Sequence, residues 1–156
     1  IQDGLADYAH LTGQRGRWQR VDMPHAATVV LDGAHNVDGV AATVKALREL
    51  AEERGGRLTV IWGAVADKDH SEVMALLPEE ASYVWCAADI PRAMPASAVS
   101  QLRPGLKGVV VDRPVKALER ALMEASSEDV VWVGGSLFVV GDVLKDAPSV
   151  FAQWPA

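Results

Sequence analysis

Apolar residues fall along this chain in two alternating patterns. Short unbroken runs at Thr28–Asp32, Leu58–Trp62, Tyr83–Ala87, Gly108–Val111 and Val130–Val133 read as strands buried on both faces. Amphipathic stretches separate them. Val37, Val40, Val44, Leu47 and Leu50 recur at steps of three and four, which predicts one apolar helix stripe ended by Gly55-Gly56. A short helix is expected from about His70, with Ser71 as its cap and Val73, Met74 and Leu77 inward. A weaker helix is expected over about 96–102. Another carries Val115, Leu118, Leu122 and Ala125 on one face, and Gly134-Gly135-Ser136 opens a last one through about Leu144. Strand and helix thus alternate five times. With right-handed crossovers this predicts an α/β, Rossmann-like doubly wound domain. Its sheet is mostly parallel, of five to six strands, with helices on both faces. Residues 1–27 stand outside this rhythm: Ile1–Leu11 fits a short helix, and Gly13–Arg20 is a connector rich in Gly and Arg.

Composition narrows the picture only a little. The 156 residues suffice for one domain with a proper core, and 49% hydrophobic with 23% charged residues is ordinary for a globular protein. A formal net charge of −6 argues against nucleic acid and against an anionic membrane surface as partner. It leaves room for a nucleotide held by local cations. The single cysteine, Cys86, sits in an apolar stretch and reads as a buried, inert thiol of a reducing compartment. There is no apolar run of 18 residues and no signal peptide, so the expectation is a cytoplasmic protein. The chain begins at Ile1 rather than Met, which fits a fragment. Of the five tryptophans (Trp18, Trp62, Trp85, Trp132, Trp154), three fall inside expected strands and read as core.

The C-terminal ends of parallel strands share one edge, where ligands bind in such folds. That edge collects chemistry here. After the first strand come Asp32, His35 and Asn36; after the second, Gly63 to Asp69 with Asp67-Lys68-Asp69. Then follow Asp89 and Arg92, Asp112 and Arg113, and Gly134-Gly135-Ser136. Each has a plainer reading beside the functional one. Asp32 and Asn36 are helix-capping types, His35 alone would be a turn histidine, and Asp67-Lys68-Asp69 a solvated loop. Arg92 reads as a surface residue, and the glycines with Ser136 as a tight turn with a cap. Glycines before a helix also expose backbone N–H groups to an anion. The turn after the first strand is not G-x-G-x-x-G, and neither a P-loop nor a G-x-S-x-G elbow occurs. Asp32 and His35 without a third ligand make a poor metal site.

Taken together, Gly16-Arg17-Trp18-Gln19, Leu31-Asp32-Gly33-Ala34-His35-Asn36, Asp67-Lys68-Asp69 and Gly135-Ser136 before Leu137-Phe138-Val139-Val140-Gly141-Asp142 resemble one family. It is the C-terminal domain of folylpolyglutamate synthase/dihydrofolate synthase, within the Mur ligase superfamily, over about residues 10–145. The resemblance implies an ATP- and Mg²⁺-dependent ligase. It joins the amine of L-glutamate to a carboxylate of dihydropteroate or a folate through an acyl phosphate. A larger N-terminal domain would carry the P-loop and the Mg²⁺ ligands; this chain has none of those motifs, and alone it would be inactive. Residues 1–20 would then be the interdomain hinge and 21–156 the C-terminal domain. By the same resemblance Arg17 meets the ATP γ-phosphate and Asp32 the ribose hydroxyls, while His35 and Asn36 orient glutamate or the acyl phosphate. Ser136 binds a glutamate carboxylate; Lys68 binds a substrate carboxylate or pairs with Asp67 or Asp69. Arg17, His35 and Asn36 are the expected catalytic set. A Mur ligase building peptidoglycan precursors is the nearer rival, and a non-catalytic Rossmann-like binding module the more distant one. Two departures stand out. Fifteen positions separate Arg17 from Asp32, which points to an insertion around Met23–Ala27, and Arg15 stands where a proline is expected.

Overall fold

A computed structural model describes residues 17–23 and 25–151. The expected first helix and Trp154 lie outside the described residues. Six strands form one sheet: β1 (Gln19–Asp22), β2 (Thr28–Leu31), β3 (Leu58–Trp62), β4 (Ser82–Trp85), β5 (Gly108–Val110) and β6 (Val130–Gly134). Their order across the sheet is β1-β2-β6-β3-β4-β5. All neighbours pair in parallel except β1, which runs antiparallel to β2 with Gln19 opposite Leu31. Among the described residues five helices complete the alternation: α1 (Val37–Arg54), α2 (Ser71–Leu76), α3 (Ala96–Val99), α4 (Pro114–Glu124) and α5 (Leu137–Phe151).

The fold follows from the two periodicities. Successive strand residues point to opposite faces. Val30, Val60, Trp62, Trp85, Val130 and Trp132 pack on one face against Val40, Val44 and Leu47 of α1 and Val73 and Met74 of α2. Val29, Leu31, Ile61, Val84, Val131 and Val133 pack on the other against Ala117, Leu118, Ala121 and Leu122 of α4 and Val139, Val140 and Val143 of α5. Two cores therefore cover one sheet, and Cys86 lies fully buried in the second. Burial in apolar surroundings pushes its thiol up to about 12, so it stays protonated and unreactive at neutral pH.

Several local expectations shift. β1 lies where only a connector was expected, and it straddles the boundary between residues 20 and 21. Its alternation is half-buried and exposed rather than apolar, so it carries no hydrophobic signal and forms by pairing with β2. Met23 and residues 25–27 lie between β1 and β2, where the Ala26 amide donates to the Met23 carbonyl at 3.0 Å. Ser71 does not cap α2. The Asp69 carboxylate does, accepting the Ser71 amide at 2.9 Å and its hydroxyl. Helix α3 closes after one turn. In α4 the buried stripe is Ala117, Leu118, Ala121 and Leu122, with Val115 and Ala125 only half-buried. Helix α5 continues past Leu144 to Phe151. No helix among the described residues is long and apolar enough to cross a membrane.

Candidate functional site

Strand β2 delivers Asp32 to the ligand edge. The Asp32 amide still donates to the Val133 carbonyl at 3.1 Å, and its own carbonyl accepts the Trp132 indole N–H at 3.0 Å. With its backbone held on both sides, the side chain has one place to go. The carboxylate accepts three donors: the Ala34 amide on Oδ1 at 2.9 Å, and the Trp18 amide at 3.2 Å and the Thr43 hydroxyl at 3.3 Å on Oδ2. Burial raises the carboxyl above its ordinary range, against the pull of these donors and of the Arg17 charge. A carboxylate offers about four lone-pair positions, so roughly one, on Oδ1, remains open.

Arg17 precedes Trp18 and is thereby brought to the same turn. It acts on Asp32 through charge, with no hydrogen bond among the described residues. Trp18 has φ of 44°, a left-handed conformation that a tryptophan adopts only when surroundings impose it. Its side chain packs against the first core.

His35 and Asn36 lie on the exposed outer part of the turn. His35 Nδ1 sits 2.9 Å from the Gly33 carbonyl. A carbonyl only accepts, so Nδ1 carries the proton of the neutral ring and Nε2 is its acceptor nitrogen. Asn36 is the N-cap of α1: its Oδ1 accepts the Gly39 amide at 2.7 Å. Its amide nitrogen stays available to a ligand. Capping and ligand contact are therefore compatible in this residue, since they use opposite ends of one amide.

Strand β6 ends beside β2 and places Ser136 at the start of α5. Ser136 is buried and its hydroxyl accepts the Val139 amide at 3.1 Å. Gly135 has φ of 89°, and a Cβ there would lie 2.2 Å from the Gly63 carbonyl and 2.8 Å from the Trp62 ring. Only glycine fits a position that is both left-handed and in backbone contact. Trp62 is the floor of this turn, and its indole nitrogen is the one buried side-chain polar atom without a partner among the described residues. The turns after β2 and β6 touch: a Cβ on Gly33 would fall 2.6 Å from Leu137 Cδ2.

Lys68 stands apart. The loop after β3 is zipped to the loop after β4: the Ala66 amide donates to the Arg92 carbonyl at 2.8 Å, the Met94 amide to the Ala64 carbonyl at 2.8 Å, and Arg92 grips Asp67 with both arms at 3.1 Å. Arg92 holds the Asp67 carboxyl below its usual range. Asp69 serves Ser71. Lys68 therefore forms no ion pair with either neighbour, and its ammonium is exposed at the loop tip.

The structure thus gathers Arg17, Asp32, His35, Asn36 and Ser136 around two touching turns, with Lys68 on a separate braced loop. Three contributors escaped the sequence reading: Thr43, Trp132 and the backbone of Trp18. For Thr43 a signal existed, a hydroxyl on the apolar stripe of α1 beside Val40, Val44 and Leu47. Among the described residues no group of three or more His, Cys, Asp or Glu could hold a metal ion. Among the described residues the edge offers Arg17 and Lys68 with no hydrogen bond or close ion pair to a carboxylate, a helix start and one partly satisfied carboxylate. Such a set suits an anionic, hydroxyl-bearing ligand.

Known proteins resemble this chain in sequence and in fold. The chain is 42% identical over 118 residues to a probable bifunctional folylpolyglutamate synthase/dihydropteroate synthase of Haloferax volcanii, covering 74% of this chain and 14% of that protein. It is 28% identical over 144 residues to a UDP-N-acetylmuramoyl-L-alanyl-D-glutamate–2,6-diaminopimelate ligase of Janthinobacterium, covering 86% of this chain and 28% of that one. Its fold superposes with a TM-score of 0.74 on E. coli FolC in complex with DHPP and ADP, at 26% identity over 87% of this chain and 32% of that one. A bifunctional folylpolyglutamate synthase/dihydrofolate synthase from Yersinia pestis, complexed with AMPPNP and Mn ion, has the same fold, with a TM-score of 0.75 and 24% identity over 86% and 32%. The chain spans between about a seventh and a third of the length of these relatives. Residues 16–137 match the model of the Mur ligase glutamate ligase domain, and the chain belongs to that family.

Proposed function

We propose that this chain is the closing domain of an ATP-dependent ligase that adds L-glutamate to a folate or dihydropteroate carboxylate. The observation that carries the reading is the bond from the Trp18 amide to Asp32, which seats Arg17 at the turn that also presents His35 and Asn36. The γ-phosphoryl group of ATP would convert the acceptor carboxylate to an acyl phosphate, which the glutamate amine then displaces. That transfer needs positive charge and placement more than covalent help. Arg17, with its bidentate fork free, supplies the charge. Asp32 takes one ribose hydroxyl on its open Oδ1 position; a second would have to displace a present donor. His35 Nε2 and the Asn36 amide face the amide-forming step, and backbone N–H groups around Ser136 with exposed Lys68 receive glutamate carboxylates.

The P-loop and Mg²⁺ ligands would come from a second, larger domain of the same enzyme, with the hinge upstream of Arg17, since the Trp18 amide is bonded to Asp32 and Gln19–Asp22 form β1. The relatives' greater length supports this. So do Val37, Leu137 and Phe138, three apolar side chains left 39–45% exposed around the two site turns. A cytoplasmic location goes with the buried, protonated Cys86. The folate branch is preferred over peptidoglycan synthesis on the 42% identity to the Haloferax protein.

The test is an assay of the complete polypeptide that contains this chain, with ATP, Mg²⁺ and glutamate. Phosphate release that requires dihydropteroate or a folate supports the reading. Release that instead requires UDP-N-acetylmuramoyl-L-alanyl-D-glutamate and 2,6-diaminopimelate overturns it. Glutamate ligation by the 156-residue chain alone would sink the two-domain picture.

A further inference from the structure

We propose that the Asp32 carboxylate is a latch that fixes Arg17 in the site, and that Thr43 and Trp18 are the positioning residues through which it does so. The inference rests on the functional reading of Arg17 given above. Asp32 Oδ2 receives two donors that come from opposite directions in the chain, the Trp18 amide from before the sheet and the Thr43 hydroxyl from inside α1. Thr43 is buried, and a hydroxyl on the apolar face of a helix needs an acceptor there. The carboxylate is the acceptor it has. With Oδ1 on the Ala34 amide and Thr43 on Oδ2, the carboxylate plane is set, and Oδ2 is aimed at the connector.

What it holds there is costly to hold. A left-handed tryptophan lies above its relaxed backbone in energy. The latch bond and the packing of the indole on the first core offset that cost together. Released, the Trp18 backbone would relax toward extended geometry and carry Arg17, one residue upstream, away from His35 and Asn36. The arginine's own side chain makes no hydrogen bond among the described residues that would keep it in place. Its placement is therefore a backbone property, written by a carboxylate two elements away.

Three variants test this, two that break the latch and one that restores it. Thr43→Val keeps shape and burial but removes the hydroxyl, and Thr43→Ser restores it. In the 156-residue chain, hydrogen exchange read by NMR should show the Trp18 amide exchanging at least about tenfold faster in Thr43→Val. Amides of β2 and β6 should keep their protection, and Thr43→Ser should return Trp18 to its original rate. Asp32→Ala, which removes both acceptor oxygens, should show the same loosening. Unchanged Trp18 exchange in both latch-breaking variants overturns the latch. In the complete enzyme, Thr43→Val should lower kcat about tenfold with KM for glutamate unchanged, and Thr43→Ser should recover it. A general structural defect would move both and would count against the proposal. If the wild-type enzyme ligates no glutamate, the functional reading fails, while the exchange result still decides the latch.

Discussion

Two aspartates sit at opposite ends of the same sheet and their carboxylates accept the same number of bonds, yet they differ in kind. Asp129 lies just before β6, on the edge away from the site. It accepts the Arg57 amide at 2.7 Å, the Ser126 amide at 2.9 Å and the Arg57 guanidinium at 3.2 Å. Burial pushes its carboxyl up, but these donors outweigh burial and leave it below the ordinary range. Asp32 also accepts three donors, but burial wins and its carboxyl is raised. The difference lies first in the donors: two backbone amides hold Asp129 at 2.7 and 2.9 Å with the Arg57 guanidinium added, whereas two of the three donors to Asp32 stand at 3.2 and 3.3 Å and Arg17 acts only at a distance. At one end of the sheet the donors outweigh burial; at the other they do not. Groups left in that condition mark functional edges.

The largest effect that would break this comparison is in activity. Arg17→Ala in the complete enzyme should lower turnover by about 10³-fold, as for arginines placed on a migrating phosphoryl group, with the unfolding midpoint unchanged. Normal turnover would remove Arg17 from the site and with it the contrast between the two ends. Next comes Asp129→Asn, which leaves at least one buried amide facing an NH2 and should cost about 2–3 kcal/mol in urea unfolding, with activity retained at permissive temperature. Asp32→Asn should cost less, under about 1 kcal/mol, because it also removes a poorly compensated charge. Equal costs at the two positions would show that the two ends are built alike. Arg57 is 79% exposed on its side chain, and Arg57→Met should cost about 0.5 kcal/mol, since the backbone donors rather than the ion pair hold Asp129.

The smallest effect is a matter of sign. A carboxyl raised by folding binds a proton more tightly in the native state, so Asp32 contributes a stability that falls as pH rises from the ordinary 3.8 through its native value. Asp129, lowered by folding, contributes stability above 3.8 that is lost as pH drops through its native value. In unfolding curves between pH 2 and about 7, the gap between wild type and Asp32→Asn should narrow as pH rises. The gap for Asp129→Asn should widen. Parallel trends would contradict the assignment of one or the other.

The sheet itself was easy to read because its strands are buried on both faces, so apolar runs such as Val29-Val30-Leu31 and Val130-Val131-Trp132-Val133 carry the signal in every residue. β1 was not readable for the opposite reason. Gln19-Arg20-Val21-Asp22 is an edge strand whose order comes from pairing, which sequence pattern does not record. At the site, Asp32, His35, Asn36 and Ser136 were visible as polar residues at strand ends. Their division of labour was not. That Asn36 caps a helix with one end of its amide, or that Asp67 takes Arg92 and leaves Lys68 alone, depends on which loops meet across the sheet. Thr43 shows the limit best: its hydroxyl acts eleven residues from Asp32, and only helix packing brings the two together.

The antiparallel entry of β1 has a consequence for how such a domain travels. The chain is threaded into the sheet at the very edge that holds the site, so a guanidinium placed just upstream of the strand rides with this body as a passenger. A graft onto a different upstream partner that begins before residue 16 carries the arginine along. One that begins after Asp22 leaves it behind and strips β2 of its neighbour, exposing an unpaired edge. The seam for exchanging this module is therefore drawn by four hydrogen-bonded residues of an edge strand with no hydrophobic signature at all.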